Sequence, residues 1–168
     1  MRKIVFTLMV LAGFGLNETQ AQETGQGISK NAIGLKFTSS RIAGGEVTYQ
    51  RALGDNNRLE LNLGFANAKH FSAVKITGLY EWVFPIENGF YWYVGAGGSL
   101  GSWSHKHNSH KDDGAIVALS GIGGIEYHLK PAPFQFFIDL KPNIYITEYH
   151  DYNNINLEIG IGARYKFN

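Results

Sequence analysis

The densest group of side chains able to bind metal or move protons is Ser104 to Asp113, SHKHNSHKDD. In an extended backbone His105 and His107 share a face, with His110, Asp112 and Asp113 close behind; imidazole and carboxylate together suit zinc, copper or nickel. Such ligands need fixed geometry, and a stretch this polar reads as a solvated loop, so no resident metal or cofactor is expected. A second set is dispersed: Lys36, Glu46, Glu60, Lys75, Glu81, Glu126, Asp139, Lys141, Glu158 and Arg164 each alternate with apolar residues. Opposed charges in that pattern suit either a polar conduit or a paired network filling an interior, and the cost of burying unpaired charge favours the network. Tyr145, Tyr149, His150, Asp151 and Tyr152 could contact partners or glycans, or serve as interface anchors. No phosphate loop, catalytic triad or metal motif at fixed spacing is present.

The elements that must position these residues are strands. In Ile155 to Phe167, INLEIGIGARYKF, every odd-numbered residue is apolar and every even-numbered one is polar, charged or glycine, a strict period of two. Seven earlier segments alternate in the same way or nearly so: Ala32–Thr38, Gly44–Leu53, Arg58–Ala66, Ser72–Phe84, Phe90–Ser102, Ala115–Leu129 and Phe134–Thr147. The sixth is the least regular, with Gly121 and Gly123 in its apolar phase and Ile122 against it, and predicts a bulge or kink. Short turns are expected around Gly54, Pro85 and Lys130, and a long polar connection over Trp103–Gly114. Eight strands with such links argue for an up-and-down antiparallel meander closed into a barrel, because an open sheet leaves two edges unpaired.

Ahead of the strands, Arg2 and Lys3, the apolar run Ile4–Leu16 and Thr19-Gln20-Ala21 read as a cleaved signal peptide over residues 1–21. The apolar run is too short for a spanning helix, which needs about 20 residues. Residues 22–31 read as a short flexible lead-in and 32–168 as the barrel. Of 15 Lys+Arg and 14 Asp+Glu, removing Arg2, Lys3 and Glu18 with the leader leaves 13 of each. That balance argues against nucleic-acid binding, which needs a basic stripe. The absence of cysteine excludes disulfides.

Alternation alone does not say which face is inside. The polar face collects opposed charges and glycines, which suit the narrow interior of an eight-stranded barrel. Tyr80, Trp82, Phe84, Phe90, Trp92, Tyr127, Phe134, Phe136, Tyr165 and Phe167 fall near the short turns or the C-terminus, so a meander gathers them at one end as a membrane-interface girdle. The predicted contrast between short turns and a long polar loop points the same way. The expected fold is thus an all-β, eight-stranded transmembrane barrel with apolar residues outward, both termini at the periplasmic end, and too few strands for an open pore. A soluble periplasmic barrel of lipocalin type, with the faces reversed, is the alternative.

On these features the chain from Ala32 to Asn168 resembles the small outer-membrane β-barrels of Gram-negative bacteria, the OmpA-barrel and OmpX-like group. The resemblance implies a monomer surrounded by outer-membrane lipid and lipopolysaccharide, with a structural or cell-surface role: envelope integrity, adhesion or resistance. It also implies that the terminal Tyr165 and Phe167 serve the barrel assembly machinery, although Asn168 follows them. His107-Asn108-Ser109 resembles the His-x-Ser of outer-membrane lipid A deacylases, in which histidine activates serine. That family places the pair within a late strand and a glutamate downstream; here the nearest later glutamate is Glu126. The expectation is a non-enzymatic barrel, with a lipid A-modifying hydrolase as the rival.

Overall fold

The computed structural model describes residues 28–39, 44–68, 71–107, 110–147 and 155–168. They form eight strands, β1 (Asn31–Ser39), β2 (Gly44–Ala52), β3 (Asn57–Ala68), β4 (Phe71–Pro85), β5 (Phe90–His107), β6 (His110–His128), β7 (Phe134–Tyr145) and β8 (Ile155–Phe167). Each pairs antiparallel with the next, and β8 closes on β1 from Asn31 opposite Phe167 to Ser39 opposite Ile159. Period-two alternation produces this wall because closure leaves no free edge and lets every polar face point into one lumen.

Closure is staggered. The pairing runs from Ala32 through Gln50, Glu60, Leu79, Gly97, Ser120 and Asn143 to Asn156, three residues before Ile159, the partner of Ser39, so the circuit returns about ten residues on from its start. Eight strands with that shear tilt strongly and enclose a lumen only wide enough for side chains. The links at 53–56, 86–89 and 129–133 lie at one end, with Asn31 and Phe167. At 86–89 the chain reverses through Asn88 (φ 53°) and Gly89 (φ 88°); a Cβ on Gly89 would lie 2.9 Å from the His128 carbonyl oxygen. Left-handed φ and close approach together call for glycine there.

The structure differs from the sequence-based expectation in three places. Trp103–Gly114 is a hairpin rather than a loop: β5 continues to His107 and β6 begins at His110, with His107 opposite His110. From Ser104 to Asp113 the residues are polar throughout, so the strand carries no period-two hydrophobic signal. The contrast of loop lengths therefore fails as stated; the asymmetry lies in β5 and β6 (18 and 19 residues) outrunning β1 and β2 (9 each).

The sixth strand has no bulge. Its register with β5 is unbroken from Phe90–Tyr127 to His107–His110, and its register with β7 is the same before and after a gap at Gly121–Ile122. Bonds from Leu129 N–H to the Phe134 carbonyl and from Ile146 N–H to the Val117 carbonyl make the odd-numbered β6 residues the hydrogen-bonded pairs. Gly121 therefore faces Pro142, which has no N–H to give. The irregularity is a missing ladder bond, not an extra residue.

The lead-in, finally, is ordered where it is described. Lys30 accepts a bond from Ala52 N–H (2.8 Å), and Ile28 packs against the lumen cluster of Leu79, Val83, Tyr93 and Ile122. The proposed leader, residues 1–21, lies outside the described residues.

Candidate functional site: the charged lumen

The two faces of the wall differ in kind. Outward side chains are apolar and open, such as Leu35 (59% exposed) and Ile161 (60%), whereas inward Lys36, Glu60 and Arg164 are at most 1% exposed. This is the reverse of a lipocalin-type soluble barrel, and that alternative is set aside. Hydrophobic residues covering a whole exterior are stable only against hydrocarbon.

All ten charges singled out from the sequence point inward, where they form three connected clusters. Nearest the 53–56 and 129–133 links, Arg58 bonds Glu81 (Nε to Oε2, 2.6 Å) and Glu126 (Nη1 to Oε1, 2.8 Å). His128 lies 2.8 Å from the same Glu126 oxygen, and the Arg58 guanidinium stands 4.8 Å over the Tyr93 ring. In the middle, Arg164 donates to Glu60 (2.7 Å) and to the Thr48 hydroxyl (2.7 Å), with its guanidinium 3.5 Å over Phe137. Gln50 and Asn62 donate to the two oxygens of Glu60 at 2.6 and 2.8 Å, while Lys36 pairs with Asp139 at 2.7 Å. Toward the far end Lys141 lies between Glu46 (3.0 Å) and Glu158 (2.9 Å), and Lys75 also bonds Glu158. Thr77, Ser99, Ser120 and Asn143 add a chain of side-chain bonds of 2.7–3.0 Å along the wall.

Among the described residues every buried lumen carboxylate thus has a cation or imidazole against it, as burial requires. A small cavity of ≈ 90 Å³ opens at the far end, with Glu46, Lys75 and Glu158 as its charged lining and Phe71, Ile116 and Tyr145 among its walls. Several members of the network escaped the sequence reading: Arg58, Tyr93, His128, Gln50 and Gln135. Phase could have found them, since Arg58, Gln50, His128 and Gln135 share parity with the charged residues of their own strands and Tyr93 shares that of inward Gly95 and Ser99.

The ten aromatics assigned to a girdle all lie on the outward phase in the half of the wall carrying both termini. They interlock across strands: Phe84 on Trp92 (4.5 Å), Phe90 on Tyr127 (4.7 Å), Tyr80 on Trp82 (5.0 Å) and Phe134 on Tyr165 (5.6 Å), with Phe167 stacked on Tyr165 (6.4 Å).

The remaining candidates separate. His105, His107 and His110 are placed by backbone pairing, His105 opposite Asp112 and His107 opposite His110, but their side chains lie outside the described residues. Among the described residues no three His, Asp or Glu converge as metal ligands. Tyr145 ends β7 and lines the cavity; Tyr149, His150, Asp151 and Tyr152 lie outside the described residues, as do Asn108 and Ser109. Glu126, the nearest glutamate downstream of His107-Asn108-Ser109, sits sixteen residues along β6 from His110, on the order of 50 Å away, bound to Arg58.

No family model and no curated protein matches the chain. Solved structures do. The N-terminal β-barrel domain of Pseudomonas aeruginosa OprF superposes with a TM-score of 0.72 at 16% identity, over 84% of this chain and 100% of that one. Neisserial surface protein A gives 0.63 at 19% identity, over 82% and 95%. Ail, the attachment invasion locus protein of Yersinia pestis, gives 0.55 at 14% identity, over 85% and 100%. The chain shares the fold of these eight-stranded transmembrane barrels.

Proposed function

We propose that the chain is a small bacterial outer-membrane barrel with a side-chain-filled lumen and a structural or cell-surface role, in envelope integrity, adhesion or resistance. The observation that carries this reading is the inverted polarity of a closed barrel, with paired charges inside and a continuous apolar wall outside. Both termini then face the periplasm, the aromatic half of the wall sits at that interface, and Tyr165 and Phe167 are available to the barrel assembly machinery during insertion. The surroundings are outer-membrane lipid and lipopolysaccharide, and the barrel is a monomer without cofactor. A surface role accords with the long β5–β6 hairpin, which exceeds by about eight residues the 9–11 that cross a bilayer; among the fold neighbours, Ail is named for attachment and invasion.

An ion-paired lumen of eight strands acts as a plug, not a pore. Cell fractionation with an unheated gel is the direct test: the barrel is expected in the detergent-extracted outer-membrane fraction with heat-dependent mobility. Recovery in the periplasmic wash would end the reading. Planar-bilayer recording is expected to show no large, stable conductance. Mass spectrometry of lipid A after overexpression is expected to show an unchanged acyl pattern; loss of an acyl chain would favour the deacylase instead.

A further inference from the structure

The far end of the β5–β6 hairpin has a period of two in ligand type rather than in hydrophobicity. His107 stands opposite His110, and His105 opposite Asp112, so by strand parity these four residues share one face. Ser104, Lys106, Lys111 and Asp113 take the other, with Lys106 opposite Lys111. Opposing two lysines destabilises the pair. It also leaves the imidazole face without a lysine anywhere between Trp103 and Gly114.

The spacing on that face suits a single ion. His128 N–H bonds the Gly89 carbonyl, so even-numbered β6 residues bond toward β5, and both pairs are of the hydrogen-bonded kind, with Cα atoms about 5.5 Å apart. Successive pairs on one face follow at about 7 Å along the strands. Four ligand-bearing residues thus occupy the corners of one small rectangle. The pair beneath, Trp103 opposite Gly114, is tightly held: the Trp103 ring stacks on Phe71 (6.5 Å), and a Cβ on Gly114 would lie 2.5 Å from Trp103 Nε1. In a loop the entropy of ordering these residues would fall on ion binding, whereas a ladder anchored at its base has already met it.

We propose that this face reversibly binds one divalent transition-metal ion of the zinc class, through the imidazoles of His105, His107 and His110 and the carboxylate of Asp112. Three nitrogens and one oxygen form a donor set that zinc takes tetrahedrally. Magnesium and calcium, which take oxygen ligands, are disfavoured by the three nitrogens. The site needs only the hairpin register and an aqueous end, so it does not depend on which surface role the barrel serves.

The untagged barrel, refolded in maltoside micelles and titrated with zinc chloride, provides the test, read by calorimetry and amide chemical shifts. Saturable heat is expected at a one-to-one ratio, with shifts confined to residues 103–114 and none on adding magnesium chloride. His107→Ala and His110→Ala are each expected to weaken binding at least about tenfold, since losing even an outer partner of a ligand costs roughly 10–100-fold. The His70→Ala/His150→Ala variant, which removes the histidines of the β3–β4 and β7–β8 links, is expected to bind as the parent does. Folding of each variant is read from unheated gel mobility. Should an alanine variant fail to fold, His107→Thr, which suits a strand, takes its place. Absence of saturable heat, equal binding of magnesium, undiminished affinity in the folded hairpin variants, or a loss that follows His70 and His150 instead would each overturn the site.

Discussion

Arg58 offers a measurable test of whether the lumen is a dry, paired interior. Its guanidinium is 3% exposed and bridges Glu81 and Glu126, which are 0% and 1% exposed, at 2.6 and 2.8 Å. Arg58→Met deletes two charge-assisted hydrogen bonds, each contributing about 1.5–3 kcal/mol. It also leaves buried carboxylates uncompensated, a change that costs about 3–5 kcal/mol where buried pairs are broken. The two figures overlap, because they describe the same contacts, and the expected loss of unfolding free energy is about 3–5 kcal/mol. Replacing Arg58 and Glu81 together by methionine leaves Glu126 its contact with His128 and removes the stranded charge. That double variant is expected to recover at least half of the loss. Reversible urea unfolding in phospholipid vesicles, followed by tryptophan fluorescence and unheated gel mobility, measures both. A loss below about 1 kcal/mol for Arg58→Met would mean that water solvates the two glutamates, and the plug would have to be abandoned.

Three further substitutions probe other parts of the wall. Ile159→Arg places a charge on the apolar exterior in the middle of β8 and is expected to cost about 2–4 kcal/mol in the same unfolding assay; a neutral result would place that face in water. Gly160→Ala points a methyl into the lumen, against the Lys36 methylene and 2.5 Å from Asp139 Oδ1. Overpacking of this kind is expected to cost about 1–3 kcal/mol; a loss within error would show slack around the Lys36–Asp139 pair. Pro142→Ala gives the Gly121 carbonyl a donor and is expected to raise stability by about 0.5–1.5 kcal/mol, with slowed hydrogen exchange at position 142 as the direct sign that the bond forms.

The strands were legible because each must satisfy two solvents at once. Lipid outside and ion pairs inside impose a period of two on every pleat, so Ile155–Phe167 was bounded to the residue. Where that constraint lapses the sequence falls silent: Trp103–Gly114 pairs as a hairpin, yet its residues carry no period-two alternation of apolar and polar types. The sixth strand misled for a related reason. Ile122 points inward to meet Leu79, Val83 and Tyr93, while Gly121 faces outward beside Pro142, so polarity inverts although geometry does not. Parity identified which charges share the lumen, but not their partners. Pairing Arg164 with Glu60, or Lys75 with Glu158, depends on the stagger of closure, which no local pattern encodes.

That stagger also bears on how the barrel comes to exist. The longest-range lumen contacts join residues 68 (Arg58–Glu126), 83 (Lys75–Glu158), 95 (Glu46–Lys141) and 104 (Glu60–Arg164) positions apart, whereas the ladder joins neighbouring strands. Hairpins can therefore zip early and cheaply, but none of these charge pairs is satisfied by any open sheet of fewer strands than lie between its members. Loop-closure entropy falls on the last step, and its reward arrives only there. A partly assembled sheet entering lipid would satisfy neighbour-strand pairs such as Arg58–Glu81 and Lys141–Glu158 but leave these longer-range pairs unmatched, so the network penalises open intermediates. The charged core is thus expected to act as a closure check, with formation of the β1–β8 junction as the slow, cooperative phase in refolding kinetics.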